Sequence, residues 1–253
     1  MQQMQAVQDY LAGPFTTIQG WCIPQLWQFI QPIHEFQAQN GPLRPVAEIG
    51  VHYGKFFIGL AKTKAAPRGN FAIDVFDMQQ FNLDNSGKGS LERFEKNLDE
   101  CGVPRESVEI LRTDSLALSD KDLLDIAQKA GLFSFFSVDG CHMAEHTIHD
   151  TRMAMRLTAP EGIVMVDDYY NPAWPGVQEG VAKMFFTETP RFVPLLASCN
   201  KLFLAHISYH SQYFRAVTDF VKKNHPETTI KRVRRFGYDS LTLTPLKGAK
   251  CVV

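Results

Sequence analysis

Carboxylates and histidines crowd the middle of the chain. FFSVDGCHMAEHTIHD, from Phe135 to Asp150, carries Asp139, His142, His146 and His149, and GIVMVDD (162–168) ends in Asp167-Asp168. Two chemistries compete here. On a helix the three histidines share a face, and an i,i+4 pair can bind zinc. If instead Asp139 and Asp167-Asp168 end neighbouring strands, three carboxylates converge, and a hard divalent cation relieves their repulsion. Oxygen ligands suit Mg2+, with Mn2+ or Ca2+ as alternatives, far better than zinc. Each helical turn carries a side chain ~5.4 Å further from the strand end, so His146 and His149 read as ordinary helix residues. His142 is the candidate catalytic base, because neutral imidazole is available near pH 7. Asp139 or the ion alone could also activate a hydroxyl. The competing reading makes Asp167-Asp168 a cap and Asp139-Gly140 a tight turn.

Positioning these groups requires strands that end together. Apolar runs recur at PVAEIG (45–50), FAIDVF (71–76), SVEILRTD (107–114), LFSFFSVD (132–139) and GIVMVDD (162–168). Between them lie helical patterns: KFFIGLAKTKAA (55–66), SLERFEKNLDECG (90–102) closed by Gly102, DKDLLDIAQKAG (120–131), and the histidine-bearing segment, whose inward stripe would be Met143, Thr147, Ile148, Thr151, Ala154 and Met155. Continuous rather than alternating apolar runs mean strands covered on both faces, hence an α/β, doubly wound, mostly parallel sheet. RFVPLLAS and NKLFLAH (191–206) suit an antiparallel hairpin closing that sheet. A helix (209–224) and a second hairpin around Phe236–Asp239 follow, and residues 1–44 read as short helices forming a cap.

The first strand turns into its helix through VAEIGVHYG, with Glu48, Gly50 and Gly54 at the turn. Glycines there let a ligand approach the backbone, although such a pair can also serve packing alone. The spacing lacks the middle glycine of a dinucleotide loop and the Lys-Ser/Thr of a P-loop. Asp74 ends the second strand, where a carboxylate can accept ribose hydroxyls, and Asp114-Ser115 ends the third, where an adenine can be met. Helix capping is the alternative for each aspartate.

The ordered set EIGVHYG, Asp74, Asp114, Asp139 and Asp167-Asp168 resembles the class I S-adenosylmethionine-dependent methyltransferases over about Pro45 to His206. The likeness is closest to the metal-dependent small-molecule O-methyltransferases of the catechol and antibiotic-sugar types. It implies a seven-stranded Rossmann-like sheet spanning 45–207, flanked by the cap (1–44) and a C-terminal helix and hairpin (208–253). It further implies that Glu48, Gly50 and Gly54 line the methionine part of S-adenosylmethionine, Asp74 the ribose, and Asp114 with Ser115 the adenine. Asp139, Asp167 and Asp168 would hold the metal; His142 stands where the catechol type carries lysine, and Asp168 where it carries asparagine. The implied enzyme is an O-methyltransferase acting on a sugar, glycoside or catechol-like diol. A metal-independent methyltransferase, a nucleotide-binding dehydrogenase and a non-catalytic cofactor binder are the alternatives.

Composition narrows the partners. A net charge of −1 gives no bulk attraction to nucleic acid or anionic membrane, and KRVRR (231–235) reads as a solvated edge. The five cysteines are scattered without a CxxC pair, as in a reduced, cytoplasmic protein. No signal-peptide pattern or apolar run of ~18–20 residues appears, and Cys251 is one place off a prenylation box. The expected partner is a small-molecule acceptor; the cap and C-terminal hairpin leave room for a homo-oligomer.

Overall fold

The computed structural model describes residues 2–42, 44–63 and 68–245. The chain opens with α1 (Gln2–Ala12) and α2 (Trp27–Asn40). Five strand–helix units follow: β1 (Val46–Ile49) and α3 (Lys55–Thr63), β2 (Asn70–Asp74) and α4 (Leu91–Glu100), β3 (Val108–Arg112) and α5 (Asp120–Ala130), β4 (Phe133–Val138) and α6 (Ala144–Leu157), β5 (Thr158–Val166) and α7 (Pro175–Thr187). The chain then adds β6 (Phe192–Ser198), β7 (Lys201–His206), α8 (His210–Asn224), β8 (Thr229–Arg235) and β9 (Tyr238–Thr244). Residues 64–66 of the first expected helix, and Cys251, lie outside the described residues.

The strands form one sheet in the order β3-β2-β1-β4-β5-β7-β6-β9-β8. β1 to β5 are mutually parallel, and β7 runs antiparallel between β5 and β6. The sheet therefore has nine strands where seven were expected. The hairpin around Phe236-Gly237 does not hang free: β9 pairs with β6, Leu196 opposite Leu241 and Ala197 opposite Thr242. Both hairpins turn on two left-handed residues, Cys199-Asn200 (φ 50° and 68°) and Phe236-Gly237 (φ 49° and 87°), the geometry that matches strand twist.

Both sheet faces are covered, which explains the unbroken apolar runs. One layer joins the N-terminal helices to α3, α4 and α8, and the other is built from α5, α6 and α7. Helix starts follow local chemistry. Ser90 caps α4 through Arg93 N–H, and Ser119 and Asp122 form a reciprocal capping box on α5. Gly102, at φ +65°, follows α4 as the sequence suggests, its N–H donating to Asp99 O. Of the inward stripe expected on α6, Thr147, Ile148, Thr151 and Ala154 are buried, whereas Met143 is half exposed at the helix start.

The cap is keyed to the core. Tyr10 donates its hydroxyl to Lys55 O at 2.6 Å. The Gln37 amide donates to Ser134 O and Glu161 O, satisfying carbonyls within β4 and β5. Trp27 lies against α3 where Gly59 has no side chain; a Cβ there would stand 2.3 Å from the indole. Gly59→Ala is expected to cost about 1–3 kcal/mol through this overlap, read as a lower unfolding midpoint with secondary structure retained.

Candidate active site

Register decides which side chains meet. Val138 pairs with Val166 in parallel, and each is followed by an aspartate, so Asp139 and Asp167 stand side by side. Val166 pairs with Leu202 in the antiparallel β5–β7 ladder, which brings Lys201 to the same end. β1 lies on the other side of β4, with Ile49 opposite Val138. Between β1 and β4 the strand order reverses, the place where open α/β sheets bind ligands. A cavity of about 670 Å3 opens there, within the usual range for small-molecule sites. Its walls come from the strand ends, the 77–90 segment and Trp21–Leu26 of the cap.

Of the residues expected to hold a cofactor, Glu48, Gly50, Asp74, Asp114 and Ser115 line this cavity. Gly54 is not among its lining residues; it has φ +86°, and a Cβ would stand 2.7 Å from the Phe94 ring. Gly50 is forced by a closer approach: at φ +82°, its Cβ would fall 1.7 Å from Asp139 O. Asp74 accepts from His52 N–H (2.7 Å) and Phe76 N–H (2.5 Å), tying the glycine turn to β2. Burial raises its pKa, and those backbone bonds oppose the rise. Asp114 accepts from Leu116 N–H, so it caps a short 3-10 turn while facing the cavity. Glu48 is 1 % exposed, and its Oε1 has no hydrogen-bond partner. Burial pushes its carboxyl up to about 8 against the pull of Lys201.

At the carboxylate end, Asp139, His142 and Asp168 each present a ligand atom within 4.8 Å of the others. His142 is held from both sides: Nδ1 lies 2.7 Å from Asp84 Oδ2, and Nε2 lies 2.8 Å from Asp168 Oδ2. Its ring stacks on Trp174, centroids 4.4 Å apart. Asp168, at φ +55°, also accepts from Asn171 and Asn200 side chains at 2.9 and 2.6 Å. Asp167 lines the same cavity; its Oδ2 takes Lys201 Nζ at 2.5 Å, and its Oδ1 accepts Asp168 N–H. Asp168 also opens the following turn, its carbonyl accepting Asn171 N–H at 3.1 Å, whereas Asp139-Gly140 is not a left-handed turn.

Asp84, Asn200 and Lys201 went unnoticed in the sequence. Asp84 sits in a polar connection, 58 positions from His142, where only the fold brings them together. Lys201 carried a faint signal: the expected hairpin, taken in register, opposes it to the strand ending in Asp167. In the 77–90 segment Asn82 lines the cavity and folds the loop by donating to Ser86 O and Gly87 O. His146 departs from its reading as an ordinary helix residue; it is 4 % exposed and lines the cavity, its Nδ1 unpartnered. His149 pairs with its neighbour Asp150 at 3.0 Å.

Residues 47–169 match a family described as a methyltransferase domain. The solved O-methyltransferase NovP superposes with a TM-score of 0.57 at 16 % identity, over 72 % of this chain and 79 % of that one. The methyltransferase MycE of the mycinamycin biosynthetic pathway, solved with Mg, S-adenosylhomocysteine and mycinamycin VI, gives 0.50 at 15 % identity, over 78 % and 52 %. No curated protein matches in sequence. The chain has the Rossmann-like fold of the class I methyltransferases. Among the described residues no helix is long and apolar enough to cross a membrane.

The two carboxylates flanking His142 govern its titration. Burial disfavours the imidazolium, but the Asp168 and Asp84 hydrogen bonds and charges outweigh it and raise the pKa to about 9. Burial likewise opposes ionisation of Asp84 and Asp168, yet their bonds to His142 leave both below the usual carboxylate range. Raised above its ordinary 6.5, His142 contributes stability fully present below about 6.5 and lost as pH climbs through about 9. The two aspartates contribute above about 3.8, and that contribution disappears as pH falls through their lowered values. Asp84→Asn is expected to bring the His142 midpoint back toward 6.5, read by NMR titration of the ring; an unmoved midpoint would contradict the pairing.

Proposed function

We propose that this chain transfers the methyl group of S-adenosylmethionine to a hydroxyl of a small molecule, with a divalent ion at the carboxylate end assisting. The observation that carries this reading is one cavity with a buried, half-unpartnered carboxylate at the glycine turn and an acid–histidine cluster at its other side. The unpartnered Glu48 Oε1 suits the ammonium of the cofactor's methionine part. The Asp74 oxygens retain lone pairs for ribose hydroxyls beside their backbone bonds. Asp114 and Ser115 take the adenine end. Gly54 supports the turn by yielding space to Phe94 rather than by touching the ligand.

The donor set also fits an ion. Mg2+ is commonly held by one or two carboxylates, with waters and substrate completing its shell, and Asp139 with Asp168 supplies two. MycE, solved with Mg, is a neighbour of the same fold. When bound, the cofactor supplies a methyl group already activated on a sulfonium, so the protein's work is alignment and removal of one proton. The acceptor would lie between the ion site and the Trp174 wall, its proton passing to His142 Nε2 or to Asp139. Burial and the neighbouring Asp167 charge raise the Asp139 pKa well above its usual value, which favours it as a proton acceptor. His142 begins as an imidazolium in the unliganded protein and serves as a base only once its proton has been given up. A vicinal diol of a sugar, glycoside or catechol would offer the ion two oxygens. A metal-independent methyltransferase of the same fold is the second reading, favoured by the lysine already seated on Asp167.

Thermal unfolding with S-adenosylhomocysteine, with NAD and with neither tests the reading. A ligand of the native state at ~100 times its Kd adds about 2.7 kcal/mol, so S-adenosylhomocysteine should raise the midpoint and NAD should not. A rise with NAD alone would sink the methyltransferase reading in favour of a dehydrogenase. His142→Ala should lose turnover while keeping the S-adenosylhomocysteine shift; unchanged turnover would pass the proton to Asp139.

A further inference from the structure

Six carboxylates line the cavity, Glu48, Asp74, Asp114, Asp139, Asp167 and Asp168, against two lysines, Lys55 and Lys201. Among the described residues no arginine lines it. Lys201 is already taken: it is 2 % exposed, and its Nζ lies 2.5 Å from Asp167 Oδ2 and 3.9 Å from Asp139 Oδ2. Lys55 is half-buried and makes no ion pair among the described residues; its Nζ rests over the Phe15 ring, 4.6 Å from the centroid. Local structure sets its place. Lys55 is the first residue of α3, directly after the glycine turn. Tyr10 of the cap donates to its carbonyl, and Gly20 leaves room for its stem: a Cβ there would stand 3.2 Å from Lys55 Cβ. The charges of Lys55 and Glu48 both act on the thiol of Cys22, another wall residue. Lys55 therefore stands at the Glu48 end of the cavity, in the seam between cap and core.

The amino-acid end of S-adenosylmethionine carries an ammonium and a carboxylate on one carbon. Glu48 Oε1, buried and unpartnered, answers the ammonium. The carboxylate is the harder guest, because a cavity walled by six acids repels it. It needs a cation that is charged and not already held by an acid. His52 also lines this end, but burial lowers its pKa and disfavours its charge. Lys55 meets both conditions. Its compact charge rides on a flexible stem, so it can leave the Phe15 face for an incoming anion, and a charge-assisted hydrogen bond is the stronger hold. Resting on the methyltransferase reading above, we propose that Lys55 binds the carboxylate of the cofactor's methionine part and forms with Glu48 a two-charge clamp on that end. The clamp makes the site select the intact cofactor over nucleosides that lack the amino acid.

The test is isothermal titration calorimetry of the full chain with three ligands. S-adenosylhomocysteine carries both charges, its decarboxylated analogue keeps only the ammonium, and methylthioadenosine has neither. Lys55→Met should weaken S-adenosylhomocysteine by about tenfold, the equivalent of ~1.4 kcal/mol, and leave the other two within about twofold. Lys55→Arg, retaining the charge, should stay near the wild type. Glu48→Gln should weaken both ammonium-bearing ligands and spare methylthioadenosine. Added salt should weaken S-adenosylhomocysteine more in the wild type than in Lys55→Met. Unchanged methylthioadenosine binding shows that a variant is folded, and Lys55→Gln replaces Lys55→Met if the latter is not. The proposal is overturned if Lys55→Met binds S-adenosylhomocysteine as tightly as the wild type, which would leave the lysine to an anionic group of the acceptor. It is equally overturned if Lys55→Met weakens all three ligands alike, the mark of a structural role. Both outcomes leave the methyltransferase reading standing, whereas a wild type that binds none of the three ligands sinks that reading and the clamp with it.

Discussion

The site depends on how closely the turn after β1 approaches the end of β4. Gly50 has no side chain, and the Asp139 carbonyl occupies the space where a Cβ would lie, 1.7 Å away. Asp139 N–H donates to Ile49 O at 2.8 Å, and Asp167 N–H to Val138 O at 2.9 Å. Three consecutive strand ends are therefore stitched by backbone bonds just where their side chains diverge. A glycine turn for one ligand, an acid for another and a buried lysine all inherit their positions from that stitching. The candidate site residues thus follow directly on strand ends, a placement that suits work needing alignment within a fraction of an ångström.

Charge organises the second half of the cavity. Among the described residues, Asp139, Asp167, Asp168 and Asp84 pair with two organic cations, Lys201 and the His142 imidazolium. Each cation bridges or borders two carboxylates, so no acid is left alone with a like charge. Asp84 comes from the segment after β2, and its link to His142 fastens that segment across the mouth. The cap supplies the opposing wall, ending in Trp21, which is 78 % exposed beside the His52 ring. Cofactor and acceptor would therefore meet elements from both sides of the sheet.

Much of this was legible before the fold was known. Strands buried on both faces must be apolar throughout, so an acid ending such a run stands out, and Asp74, Asp139 and Asp167-Asp168 were found that way. Glu48 showed itself by its place inside the first run. Lys201 and Asp84 were hidden because their partners lie 34 and 58 positions away, and pairing at that range is set by topology rather than by local pattern. His146 was misjudged because spacing gives its distance along the helix but not the direction in which the helix leaves the sheet. The count of strands erred for a related reason: a hairpin is a local feature, but whether it joins the main sheet is decided by what edge it finds.

That last hairpin decides which strand forms the border of the sheet. β6 is buried along its whole length, and without β9 it would be an open, apolar border of the sheet, ready to recruit a strand from another chain. The border actually shown to solvent is β8, where Lys231, Arg232 and Arg234 alternate with half-buried neighbours. Arg232 is tied to Asp239 and Arg235 reaches Tyr170 beside the active site. The basic run ends the sheet as a fence, its exposed charges opposing the addition of a further strand.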